Sequence, residues 1–447
     1  VVPEDGEGLN ADVTTNAELT DMRRDQPLDE AFHSATGGTI TTPNVLQHAL
    51  FPRFLTQDTG LLLPTGPGAG RLEAVFVPTI ATRADSSRYG LPRQRLFIIA
   101  ADGCPLDDYY ERLGGYLREV AAASGIGRTI YIASEEESVL CERYMPDGSL
   151  VENASSHPLD PAVDLAVAPF GHFRSLFFGA GGVHALPQSL LSSNDDFDMR
   201  PRDLFYFDEA MGYGGEEFSA FLRLVEFLFT QDLDIVMGTT TLPRELQEEL
   251  AFLETLSVPE AQTEPEKMLQ SLIAGPTQRL DAIEKLVNRY AGEDRRVLVC
   301  MDQPEDIRTL YQRFTSADHQ SKYSGVYRYE RTMPRTERAS VYSKLRSLDR
   351  EDSPYLLIVD GPALEAADLS ADMLISTVAA PEALLRRAGR ANRRGRQADA
   401  KIVIVGDGYP TWARALPKER RQAYWNALES AQAERPFRAQ EWKDFIA

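Results

Sequence analysis

Leu385-Arg386-Arg387-Ala388-Gly389-Arg390-Ala391-Asn392-Arg393-Arg394-Gly395 is the stretch that decides how this chain is read. Residues 386 to 396 hold six arginines and no acid, in a protein whose formal charge is −21. Arg390 and Arg393 stand three apart, a spacing that sets two side chains on one helix face. Planar guanidinium groups suit bidentate contact with a transferring phosphoryl group. Leu384-Leu385 and Gly389 point to packing against another part of the chain. A solvated basic helix is the alternative.

Two earlier segments bear on the same chemistry. Asp208-Glu209 closes the apolar run Leu204-Phe205-Tyr206-Phe207. At such a strand end the first carboxylate can hold magnesium and the second can polarise an attacking water. Earlier still, Leu63-Pro64-Thr65-Gly66-Pro67-Gly68-Ala69-Gly70 follows a strand and precedes a helix start. That is the arrangement of a phosphate cradle, in which backbone N–H groups, a lysine and a Ser/Thr hydroxyl do the binding. Here Ala69 and Gly70 occupy the lysine and hydroxyl positions. Arg71 comes one residue late, which rotates it about 100° around a helix. Read alone, the loop is a plain turn. Thr239-Thr240-Thr241-Leu242-Pro243, after the strand Asp234 to Gly238, is either an ordinary strand-to-helix turn or a coupling element.

The 447 residues suffice for two or three domains with sizeable cores, and 43% hydrophobic content is ordinary for a globular chain. No apolar run approaches the roughly 18 residues of a membrane span. The acidic N-terminus does not read as a signal peptide, and Cys104, Cys141 and Cys300 fit no disulfide framework or zinc site. The expected location is cytoplasmic, with no membrane partner. Net negative charge argues against wholesale coating of nucleic acid while leaving room for a local basic groove.

Residues 1–35 read as a loosely ordered acidic arm. Thr41 to Leu50 reads as a helix start with proline in its first turn. Strands are expected at Gly60 to Leu63, Arg95 to Ala100, Thr129 to Ala133, Asp164 to Ala168, Asp203 to Phe207 and Asp234 to Gly238. Helices at Asp107 to Ala123 and Glu216 to Thr230 intervene, so the pattern is βαβ with a parallel sheet. This makes residues 36–245 a first lobe and 246–292 a helical connector. A second alternation, Arg296 to Met301, Tyr355 to Val359, Met373 to Ser376 and Lys401 to Val405, makes 293–410 a second lobe. Residues 411–447 form a short helical tail.

The order of these segments resembles the superfamily 2 helicases of the DExD/H class. The nearest resemblance is to the CRISPR-associated helicase of type I systems, the motor of a helicase–nuclease. It runs from about Thr42 to Asp407. Pro64 to Gly70 matches Pro-Thr-Gly-x-Gly-Lys-Thr except at the last two positions. Ala100 to Pro105 has lost the next motif, although Tyr110-Glu111-Arg112-Leu113 follows in place. Asp208-Glu209-Ala210-Met211 keeps both acids of Asp-Glu-x-His, and Thr239 to Pro243 stands for Ser-Ala-Thr-Leu-Pro. Glu365 alone matches within Gly361 to Leu369, and Leu385 to Gly395 matches closely.

The resemblance implies an α/β fold of two RecA-like lobes, each a parallel sheet flanked by helices. It implies ATP and magnesium, with Asp208, Glu209, Arg390 and Arg393 catalytic and Asp208 on the metal. Gly66, Gly68, Gly70, Arg71 and Gln47 would touch nucleotide, and Thr239 and Thr241 would couple the sites. Partners would be single-stranded DNA and a CRISPR effector complex or other defence subunits. No His-Asp dipeptide occurs in these residues, so the family's His-Asp nuclease is not expected here and cutting would fall to a separate nuclease. Three readings stay open: a subunit with little or no ATP hydrolysis, an active translocase with a non-standard phosphate loop, and a purely structural protein-binding module.

Overall fold

Leu204-Phe205-Tyr206-Phe207 shows how the chain is built. Successive strand residues face opposite sides of a sheet. Leu204 and Tyr206 accordingly enter one core, and Phe205 and Phe207 another. A strand buried on both faces needs helices on both faces, which is why the sheets are mostly parallel. The computed structural model describes residues 26–56, 60–65, 69–84, 95–102, 104–133, 139–152, 157–160, 162–178, 203–209, 216–231, 233–240, 244–256, 266–290, 295–316, 323, 325–397, 399–406 and 418–443. They form two RecA-like lobes.

The first lobe has nine strands in the order Leu150–Glu152, Val139–Tyr144, Arg128–Ala133, Leu165–Pro169, Leu96–Ala100, Leu204–Phe207, Asp234–Thr239, Gly60–Pro64 and Glu254–Thr255. The second has seven, ordered Val326–Tyr329, Leu356–Asp360, Val297–Met301, Met373–Thr377, Lys401–Val405, Met268–Leu272 and Arg435–Pro436. In this lobe Leu298 and Cys300 face one core while Val297, Val299 and Met301 face the other.

Several expectations need correction. Neither sheet is wholly parallel. Val139–Tyr144 and Leu150–Glu152 form an antiparallel hairpin on one edge, and Arg435–Pro436 pairs antiparallel with Met268–Leu272. The region read as a helical connector contains a strand of each sheet, Glu254–Thr255 in the first and Met268–Leu272 in the second. The helix Arg279–Tyr290 follows. Met268–Leu272 alternates in burial, so its period is that of a strand despite the Pro/Glu/Gln-rich surroundings.

Within the segment read as an arm, Gln26–Ala35 is a helix with Leu28, Ala31, Phe32 and Ala35 buried in the first core. Those positions follow the i, i+3, i+4, i+7 rule. Residues 1–25 lie outside the described ones. The tail is helix Lys418–Ser430, the edge strand, then helix Ala439–Lys443, with Tyr424 and Trp442 buried in the second lobe. Among the described residues no helix is long and apolar enough to cross a membrane.

Candidate functional site

Parallel strands deliver their carboxyl ends to one edge of a sheet, where crevices form. Along that edge of the first lobe lie Ala101, Asp208, Thr240 and Thr65, each just past its strand. Facing them is the segment of the second lobe that holds Glu365, Asp368, Arg386, Arg390 and Arg393. The cleft between them encloses about 240 Å³. Asp208, Glu209, Arg390 and Arg393 therefore line one cavity, although 181 residues or more separate the acids from Arg390 in the chain.

Gly70 decides where the next helix begins. It lies in the left-handed region at φ 71° and caps helix Arg71–Phe76, so Arg71 is the first helical residue. From there the Arg71 guanidinium reaches the acidic pair. It is ion-paired with Glu209, lies 4.0 Å from Asp208, and donates to the Thr65 carbonyl at 3.3 Å. The rotation of about 100° does not carry it away, because the left-handed residue resets the helix start.

Glu209 is itself at φ 52°, a rare conformation for a residue with a long side chain. The Thr240 backbone N–H donates to it at 3.1 Å and the Thr240 hydroxyl at 2.6 Å. Burial pushes the Glu209 carboxyl upward, but Arg71, Thr240 and the more distant Arg386 hold it below the usual range. Both oxygens of Asp208 are also engaged. Tyr206 donates its hydroxyl to Oδ1 at 2.8 Å, and Tyr109 donates to Oδ2. Burial and the neighbouring carboxylate keep both phenols protonated far above their ordinary range.

Gln47 is spent on local structure. It shares a capping box with Asn44: the Asn44 N–H donates to Gln47 Oε1 at 2.9 Å and the Gln47 N–H to Asn44 Oδ1 at 3.0 Å. Its amide nitrogen donates to the Gly70 carbonyl at 3.4 Å. Thr239 is fully buried at its strand end, and its carbonyl accepts the Thr65 N–H. Gly66, Gly68 and Thr241 lie outside the described residues.

The arginines are not on a helix face. The helix Pro381–Ala388 ends before them, and Arg390 and Arg393 sit in the turns that follow, where Asn392 at φ 47° breaks the helical path. Arg390 donates to the backbone carbonyls of Leu364 and Glu365. Arg393 pairs with Asp368 at 2.8 Å, Arg386 with Glu365 at 2.6 Å, and Arg387 with Glu365 and Asp302. Arg393 Nη1 is buried and has no hydrogen-bond partner among the described residues.

The sequence reading missed Tyr109, Tyr206, Thr240, Glu73, Asp108 and Asp368. Thr240 lies between Thr239 and Thr241 in the strand-to-helix turn, and spacing does not distinguish it from either. The tyrosines carry no spacing signal, since only the strand order brings Tyr109 to Asp208. Among the described residues lining the cavity, seven acids face five arginines.

No protein-family model and no curated protein matches this chain. Solved structures do. T. fusca Cas3 with AMPPNP aligns over 93% of this chain at TM-score 0.62 and 13% identity. S. cerevisiae Dbp5 bound to RNA and ADP BeF3 aligns over 90% of this chain and 91% of its own, at TM-score 0.60 and 15% identity. The DUF1998 helicase MrfA bound to DNA aligns over 86% at TM-score 0.61 and 13% identity. The chain spans about half the length of the Cas3 and MrfA structures, covering 52% of each. The likeness shows the fold: two RecA-like lobes arranged as in these helicase structures, with similarity to Cas3 running across both lobes.

Proposed function

We propose that this protein is a helicase-fold subunit of an antiviral defence assembly that binds nucleic acid or partner subunits without turning over ATP. The observation that carries the reading is the Arg71–Glu209 ion pair. A magnesium triphosphate needs a cation beneath its phosphates, free carboxylate oxygens for the metal, and a carboxylate ready to polarise water. Here the cation is committed to the carboxylate, both Asp208 oxygens accept phenol protons, and Gln47 is held by Asn44 and Gly70. The excess of acids over arginines in the cavity adds repulsion toward a triphosphate. The residues present do not fit the magnesium nucleotide. The defence role draws on the fold likeness to Cas3 and to a CRISPR-associated protein, and nucleic acid as ligand on the likeness to Dbp5 bound to RNA and MrfA bound to DNA; single-stranded DNA is the form the sequence resemblance implies.

The test is ATP turnover with and without single-stranded DNA, alongside DNA binding across a salt series. Binding that falls steeply with salt, without turnover, supports the proposal. Robust DNA-stimulated hydrolysis overturns it. That result would favour a translocase with a non-standard phosphate loop, the reading supported by the unpartnered Arg393 Nη1 at the cavity. In that case Glu209→Gln should abolish turnover.

A further inference from the structure

Three buried hydrogen bonds between the lobes lie beside the cleft, at the start of helix Asp107–Ser124. Asp107 accepts the Arg338 Nε–H at 2.6 Å and the Tyr329 hydroxyl at 2.9 Å. Asp108 accepts the Tyr342 hydroxyl at 2.6 Å and pairs with Arg112 of its own lobe at 3.1 Å. Arg338, Tyr329 and Tyr342 belong to the second lobe, and all five residues of the cross-lobe set are buried. The rings of Tyr329 and Tyr342 are 5.7 Å apart, and the Tyr342 oxygen also accepts the Asp368 N–H at 3.1 Å. The Arg335 guanidinium lies 5.9 Å from the Tyr110 ring.

We infer that this cluster is a latch that holds the two lobes closed without nucleotide. Both carboxylates sit in the first turn of one helix, where the helix dipole favours negative charge. Arg338 and Tyr342 lie four apart on helix Arg335–Arg350, and Tyr329 ends the adjoining strand. Rigid elements therefore carry every partner, and opening the cleft breaks three cross-lobe bonds together. Two are donated by phenols and one by a guanidinium, all to carboxylate oxygens, the stronger class of hydrogen bond. Burial and the adjacent aspartates keep both phenols protonated. A motor that opens and closes with its nucleotide has no use for a joint of this kind. A clamp whose binding surface spans both lobes does. The inference goes beyond the proposed function and is tested by geometry, so it does not depend on the turnover assay.

Spin labels placed at Ile126→Cys in the first lobe and Ile273→Cys in the second occupy exposed positions, 52% and 49% accessible. A Cys104→Ser background leaves only the buried Cys141 and Cys300. Double electron–electron resonance should give one narrow distance distribution, unchanged by saturating magnesium-ATP. The triple variant Tyr329→Phe, Arg338→Met, Tyr342→Phe should raise the open fraction roughly tenfold or more. Should the triple variant fail to fold by circular dichroism, Tyr342→Phe alone keeps the ring and removes one cross-lobe bond, together with the bond from the Asp368 N–H within the second lobe. Its distribution should still broaden. Arg296→Met, which breaks a buried ion pair within the second lobe, should lower the melting temperature and leave the distance unchanged. A wild-type distribution that is broad, or that narrows on adding magnesium-ATP, overturns the latch. So does an unchanged distribution in the folded latch variants.

Discussion

The Arg71 guanidinium is ion-paired with the Glu209 carboxylate, joining residues 138 apart in the chain at the floor of the interlobe cleft. Glu209 is held there in a left-handed backbone conformation. Arg71→Ala leaves that carboxylate largely buried without its cation, and should cost about 3 kcal/mol in urea unfolding. ATP turnover should remain absent, because the Tyr109, Tyr206 and Thr240 hydroxyls still occupy the two acids.

Restoring the missing side chains should not restore a phosphate site. A Cβ on Gly70 would meet Gln47 Nε2 at 2.8 Å, and φ 71° disfavours any β-branched residue. Gly70→Thr, alone or with Ala69→Lys, is expected to destabilise the first lobe by about 1–3 kcal/mol. Thermal unfolding and an ATP turnover assay check both halves of this expectation. Hydrolysis in the double variant would contradict it.

Arg393 and Asp368 make a 2.8 Å ion pair at the cavity wall, and Asp368 also receives Arg346. A double-mutant cycle with Arg393→Ala and Asp368→Asn should return a coupling of about 1–2 kcal/mol. A value near zero would mean that Arg393 is free to serve a ligand.

Acid should weaken the fold through the same carboxylate. Burial pushes Asp368 upward, but Arg393, Arg112 and Arg346 outweigh it and hold the carboxyl well below its ordinary 3.8. The unfolded chain then binds the proton more readily than the folded one, so this contribution is present above pH 3.8 and is lost as pH falls toward the folded value. Asp368→Asn should flatten the dependence of the urea midpoint on pH below about 4. Asp349, which burial pushes upward, works in the opposite sense, so the flattening must be read against the wild-type curve.

Legibility followed burial. The helix Glu216–Thr230 and the strand Lys401–Val405 were read with the boundaries the structure has, because each is apolar at its own period. The hairpin Val139–Tyr144 and Leu150–Glu152 went unread, since it sits at a sheet edge and exposes Val139, Leu150 and Val151. Such a strand leaves little apolar pattern to read. The helix Gln26–Ala35 was hidden by its acidic neighbours. The supposed helix face of Arg390 and Arg393 failed at Asn392, whose positive φ no spacing rule announces.

By itself the sequence determined two α/β lobes and the order of the segments that line their cleft. Those features are written in local periodicity, which each stretch carries without reference to the rest. Tertiary structure alone decided that Arg71 turns onto Glu209, that two tyrosines close over Asp208, and that Asp107 and Asp108 join the lobes. These pairings depend on which strands lie side by side and on one left-handed glycine, and charge satisfaction between residues so distant has no signature along the chain.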